Sequence, residues 1–176
     1  MRRLLRRACR GKPMVRLRML MLQKILETPW DSYAQPEGKA SARVPEALRC
    51  VYAANDAKSA EAASSKLRWA VGNDHSGTYY PVLLGVLPFL DDLLRNCARW
   101  PRETVLGFLT DLFYSFEPEI GYGEVTTTDG RCISVERKFR AWVRNLRPLL
   151  SDMAQRQDVM SDAAQGLLKA IDEKSG

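Results

Sequence analysis

The strongest constraint on the fold is a helical spacing of apolar residues that recurs along nearly the whole chain. In residues 81–97, for example, leucines recur at intervals of three or four residues, which places them on one helical face. Proline and glycine clusters separate such segments, and only residues 124–133 resemble an alternating strand. The pattern predicts about seven helices, at residues 15–27, 44–54, 57–71, 81–97, 101–116, 135–153 and 158–172.

The connections between the predicted helices favour helix pairs, because short turns join antiparallel neighbours. Pro88 and Pro148 lie inside predicted helices and are expected to kink them. Both prolines are followed by a charged turn and then by an amphipathic helix. Helical repeats of about 40 to 47 residues are typical of HEAT and armadillo proteins. We therefore predict an all-α fold, a short stack of antiparallel helix pairs of the HEAT type.

The basic residues are concentrated at the N-terminus. The chain has 27 Lys and Arg and 21 Asp and Glu, and nine of the basic residues fall within residues 1–26, which contain no acid. The remainder is mildly acidic, which argues against a broad phosphate-binding face. We predict a disordered basic arm at residues 1–14 and a single HEAT-like domain at residues 15–176. A transit peptide or a wrongly assigned start is an alternative interpretation of the arm.

The sequence contains no recognisable catalytic or cofactor motif. Its glycines fit neither the dinucleotide-binding nor the P-loop spacing. His75 is the only histidine, and one histidine supports neither a catalytic triad nor a common metal site. We expect His75, with Gly77 and Tyr80, to shape a structural loop. The chain is therefore predicted to be no enzyme and to bind no cofactor, metal or small-molecule substrate.

Cysteine spacing and hydropathy indicate a cytoplasmic protein. The four cysteines form no CxxC pair and lie in different segments, which is typical of reduced thiols. No apolar run approaches the ~18 to 20 residues of a membrane span. Contact with a membrane is accordingly not expected.

Charges segregate in the second half of the chain. Residues 91–129 contain eight acidic and three basic residues, whereas residues 131–147 contain six basic and one acidic. Such runs are usually solvated or paired within the fold. Alternatively, carboxylates beside aromatic side chains form a surface that binds a basic protein. The second interpretation predicts the partner-binding residues Asp111, Tyr114, Glu117, Glu119, Tyr122, Glu124 and Asp129.

Residues 117–132 form the longest predicted loop of the body. Unstructured loops of about 12 to 15 residues in compact domains are usually functional or disordered. The Asp129-Gly130 pair is a turn signal and permits a small hairpin within the loop. A tolerated insertion is the alternative interpretation of this segment.

Residues 66–94 resemble bacterial HEAT-repeat proteins, in which a Trp precedes His-x-Gly-Thr-x-Tyr and an apolar helix with Val-Pro-Phe-Leu. The corresponding positions here are Trp69, His75, Gly77, Thr78, Tyr80 and Val86-Leu87-Pro88-Phe89-Leu90. The resemblance extends more weakly over residues 100–116 and 144–171. It implies a small helical binding protein, and some members of this group accompany toxins as immunity proteins. The basic arm and the additional Leu87 depart from the pattern.

These observations lead to one preferred function and several alternatives. The preferred one is an immunity-type protein that neutralises a cognate bacterial toxin by occluding it, with a basic toxin domain as the partner. A general helical scaffold or adaptor is the second. A nucleic-acid-binding protein that uses the basic arm and residues 131–147 is the third, and an enzyme is the least supported.

Overall fold

The chain folds into helices joined by short connections and two small sheets. A computed structural model describes residues 13–36, 40–127, 129–156 and 159–174. The helices of these residues are α1 (Pro13–Glu27), α2 (Ala40–Ala53), α3 (Ala57–Val71), α4 (Val82–Asn96), α5 (Arg99–Ser115), α6 (Val135–Asn145), α7 (Arg147–Ala154) and α8 (Val159–Glu173). Most of the predicted basic arm, residues 1–12, lies outside the described residues. Its last two members belong to α1.

Helix α3 shows how local chemistry sets a helix boundary. The Asp56 carboxylate accepts a hydrogen bond of 2.7 Å from the backbone N–H of Ser59. The Ser59 hydroxyl in turn accepts a hydrogen bond from the backbone N–H of Asp56. This capping box satisfies amide groups that have no partner within the first turn. The helix ends at Val71 with Gly72 as its C-cap, so its predicted span of residues 57–71 is confirmed.

The prolines act differently from the prediction. Residues 135–153 are two helices, not one kinked helix, because the chain breaks at Leu146. Pro148 lies in the first turn of α7, where its missing N–H removes no helical hydrogen bond. Pro88, in contrast, lies inside an unbroken α4. Pro45 likewise lies in the interior of α2.

The helices pack as consecutive pairs, as predicted. Helix α2 packs on α3, α4 on α5, and α7 on α8. Helix α5 also contacts α3 and α8, which makes α3, α5 and α8 one row of neighbours. A second row is formed by α2, α4 and α6, and the hydrophobic core lies between these elements. The largest fully buried side chains include Tyr79, Phe108, Phe113 and Phe139.

Short strands interrupt the helices at two places. One sheet contains β1 (Gly72–Asn73), β2 (Thr78–Tyr79) and β3 (Glu117–Pro118), with β2 antiparallel to β1 and parallel to β3. The other is an antiparallel hairpin of β4 (Glu124–Thr126) and β5 (Cys132–Ser134). The hairpin prediction is therefore confirmed, and residues 117–132 are not an uninterrupted loop. None of the described helices is both long and apolar enough to cross a membrane.

Candidate functional site

Pairing between strands β2 and β3 joins the turn after α3 to the segment after α5. The backbone N–H of Glu117 donates to the Gly77 carbonyl at 3.0 Å. The N–H of Glu119 donates to the Tyr79 carbonyl at 2.8 Å. Residues about 40 positions apart in the sequence are thereby fixed beside each other. The predicted structural loop and the predicted partner-binding segment are thus one continuous unit.

Glu119 is engaged within this unit rather than free in solvent. Its Oε2 atom accepts a hydrogen bond of 2.6 Å from the Thr78 hydroxyl, and its Oε1 atom accepts one of 3.1 Å from the Ile120 N–H. The side chain is half-buried. These bonds make Glu119 a residue that positions the loop, whereas Glu117 is exposed.

Asp111 belongs to a small ionic network. The Arg68 guanidinium lies 2.9 Å from the Asp74 carboxylate and 3.0 Å from that of Asp111. Burial raises the pKa of the Asp111 carboxyl above its ordinary value, an effect that Arg68 opposes and Asp74 reinforces. One guanidinium therefore ties α3, the following turn and α5 together. This pairing agrees with the interpretation that some of the acidic run serves the fold.

The exposed apolar side chains lie next to these acidic groups. Ile120 is 91% exposed, Tyr114 is 53% exposed and Tyr122 is 39% exposed. The Tyr122 ring packs on the Tyr80 ring with centroids 4.9 Å apart, which fixes its orientation. We call Tyr114, Glu117, Ile120 and Tyr122 the loop surface. Sequence reasoning did not single out Ile120, because nothing in the sequence pattern distinguishes an exposed isoleucine in a loop from a buried one.

The turn between β1 and β2 is held by Asn73 and Gly77. The Asn73 side-chain oxygen accepts hydrogen bonds from the N–H groups of His75 at 3.1 Å and Ser76 at 3.4 Å. Gly77 adopts a positive φ of 65°, a conformation that favours glycine. The His75 imidazole packs edge-on against the Trp69 ring, with centroids 4.9 Å apart. The Asn73 side chain thus orders the backbone of the turn that contains His75.

Asp129 lies at the tip of the β4–β5 hairpin, where its partners are local. Its carboxylate accepts hydrogen bonds from the Thr127 hydroxyl and from the Arg131 guanidinium, the latter at 2.6 Å. The hydrogen bond from Thr127 holds the pKa of Asp129 below its ordinary value, and the bond from Arg131 adds to this effect. These contacts explain Asp129 as part of the turn, so its carboxylate is already satisfied before any partner binds.

Glu124 contacts a thiol across the hairpin. The Cys132 sulfur lies 3.1 Å from the Glu124 Oε2 atom, and this hydrogen bond raises the pKa of the exposed Cys132 thiol. A protonated thiol is a poor nucleophile, because the thiolate is the reactive form. Cys132 is therefore less reactive than its exposure suggests.

Removing the charge of Glu124 should activate Cys132. We expect Glu124→Gln to increase the rate of Cys132 alkylation at near-neutral pH about threefold, because the thiol pKa returns toward its ordinary value. Peptide mass spectrometry after timed iodoacetamide treatment measures the rate at this cysteine alone. Glu117→Gln, which removes a charge elsewhere on the loop, should leave the rate unchanged. Equal rates in the two variants would contradict the assigned contact.

Neither a metal-ligand cluster among the described residues nor a similar protein identifies the chemistry of this region. Among the residues that the structure describes, no group of three or more His, Cys, Asp or Glu side chains could hold a metal ion. No family model, curated protein or solved structure matches the chain. The exposed residues of the loop surface are therefore the features that bear on function.

Proposed function

We propose that this chain is a protein-binding protein of the immunity type, which occludes a basic toxin domain through its loop surface. The observation that carries the proposal is the 91% exposed Ile120 on a backbone fixed by β2–β3 pairing. A rigid loop loses little conformational entropy when a partner binds, and an apolar side chain at its tip gains affinity by burial. The exposed Glu117 adds electrostatic attraction for a basic partner.

The helix arrangement supports a HEAT-like stack as the scaffold for this surface. The row formed by α3, α5 and α8 favours a short helical solenoid, and in the second row α6, not α7, packs on α4. In such a scaffold the segment after α5 is an insertion between helix pairs, held to the turn after α3 by the pairing of β2 with β3. The resemblance of residues 66–94 to bacterial HEAT-repeat proteins supports the same assignment.

The alternative of nucleic-acid binding through residues 131–147 has weaker support. Arg131 pairs with Asp129, Arg140 with Glu136 at 2.6 Å, and Arg147 with Asp172 at 2.6 Å. Three of the six cations are therefore neutralised within the fold, as the internal interpretation of the charge run requires. A phosphate-binding face depends on unpaired cations that release counterions.

A photocrosslinking experiment tests the proposed surface. A photoreactive amino acid at Ile120, introduced in the native cell, should capture a basic protein domain. The same amino acid at Gly166, an exposed position on α8 with open space around its Cα, is the matched control. Capture of the same species from both positions, or of no basic protein from position 120, would contradict the proposal.

Association kinetics with the captured partner provide a quantitative prediction. We expect Glu117→Lys to slow association about 3- to 10-fold at low salt, because long-range attraction steers encounter. Glu61→Lys makes the same charge change at an exposed position of α3 and serves as control. Stopped-flow measurements at two salt concentrations should show that the difference shrinks as salt screens the charges. Equal slowing by both variants would assign the effect to net charge alone.

A further inference from the structure

The C-terminal end of α5 binds two cations, and both bind in the same way. The last carbonyls of a helix have no partner within it, and they form the negative end of its dipole. Arg140 donates to the Phe113 carbonyl at 3.5 Å, and its guanidinium lies 5.0 Å from the Phe113 ring centroid. Lys174 donates to the Tyr114 carbonyl at 2.7 Å, and its ammonium lies 5.6 Å from the Tyr114 ring centroid. Each cation therefore contacts both the carbonyl and the ring of one residue.

The two cations differ in how firmly they are held. The Arg140 side chain is only 17% exposed, and Glu136 accepts a second bond from it at 2.6 Å. Lys174 is exposed and follows the last residue of α8. The Tyr114 ring beneath it is exposed as well. The inner site is thus a fixed part of the fold, whereas both members of the outer site lie on the surface.

We propose that the carbonyl and ring of Tyr114 form a binding site for a lysine or arginine side chain of a basic partner, and that Lys174 occupies this site in cis. The inference rests on the proposed function, because Tyr114 belongs to the loop surface. Lys174 shows which chemical group the site accepts. The partner's cation must displace it, so Lys174 weakens binding.

Matched variants of α8 test the displacement. Lys174→Met and Lys169→Met each remove one positive charge, from the residue after α8 and from α8 itself, and keep an unbranched stem, but only the first vacates the site. Lys169 is exposed and lies 3.8 Å from Glu173, one turn later on the same helix. The probe is a labelled oligoarginine peptide, titrated by fluorescence anisotropy into the full chain at low ionic strength. Lys174→Met should bind it about 2- to 5-fold more tightly than Lys169→Met, because an exposed cation–π site becomes free.

A double variant and an independent measurement complete the test. Adding Tyr114→Leu to Lys174→Met should abolish the gain in affinity. Fluorinated tyrosine in the unaltered chain should show a ¹⁹F shift at Tyr114, and not at Tyr33, when the peptide is added. Equal affinities of the two methionine variants, or no shift at Tyr114, would overturn the proposal and leave Lys174 as a helix cap only. If Glu117→Lys leaves the affinity for the peptide unchanged, the proposed docking function fails, whatever the result for the Lys174 variants.

Discussion

Gly72→Ala should destabilise the protein by about 3 kcal/mol or more, near the upper end of the range for steric insertion. A Cβ atom at this position would lie 2.0 Å from the Thr78 carbonyl oxygen and 3.0 Å from the Tyr79 Cα atom. Both obstacles are backbone atoms, which cannot rotate away as a side chain can. The φ of −162° is accessible to any residue, so the cost comes from the close approach of β1 to β2.

Urea unfolding followed by circular dichroism measures this loss. Gly107→Ala is the control, because Gly107 lies within α5 and a Cβ there would meet no atom within 4 Å. That substitution should stabilise the protein by about 0.5 to 1 kcal/mol, since alanine restricts the unfolded chain and favours the helix. If Gly72→Ala lost no more stability than an ordinary surface substitution, the close pairing of β1 and β2 would be wrong. Because β2 also pairs with β3, the same variant should weaken partner binding.

Most helices could be predicted from the sequence because their signals are local. Asp56 and Gly72 mark the two ends of α3, and the leucines of α4 repeat on one face. The break at Leu146 was predicted only as a kink at Pro148, because residues on both sides keep a helical spacing. The β1–β2–β3 sheet was not predicted, since two-residue strands are too short to show alternation.

The candidate site could be predicted in its residue types but not in its contacts. The sequence places carboxylates and tyrosines in the second half of α5 and in the segment after it, and the structure leaves Tyr114, Ile120 and Tyr122 exposed there. The sequence could not show that Glu119 bonds to Thr78, or that Arg68 joins Asp111 to Asp74, because these partners are about 40 residues apart. The contact of Lys174 with Tyr114 spans 60 residues and depends on the packing of α8 against α5. Such contacts follow from tertiary structure alone.

Phe139→Ala should cost about 3 to 5 kcal/mol of folding free energy, the usual range for removing a buried aromatic ring. Phe139 is 1% exposed, and its ring lies 5.6 Å from that of Tyr79 and 6.4 Å from that of Phe113. It therefore connects α6 to α5, which carries Tyr114, and to β2, which pairs with β3 beside the rest of the loop surface. The adjacent Lys138 is exposed, and Lys138→Ala should change stability by no more than about 0.5 kcal/mol.

The two variants distinguish a shared core from an independently stable loop. If the aromatic cluster supports the loop surface, Phe139→Ala should lower the urea midpoint and should also reduce hydrogen-exchange protection of the Glu117 and Glu119 amides, which donate to β2 and its preceding turn. Lys138→Ala should alter neither. Loss of stability with unchanged protection of these two amides would mean that the β2–β3 pairing holds the loop without help from α6. The rigidity of the loop surface would then depend on the close approach of β1 to β2 at Gly72, and not on the aromatic cluster.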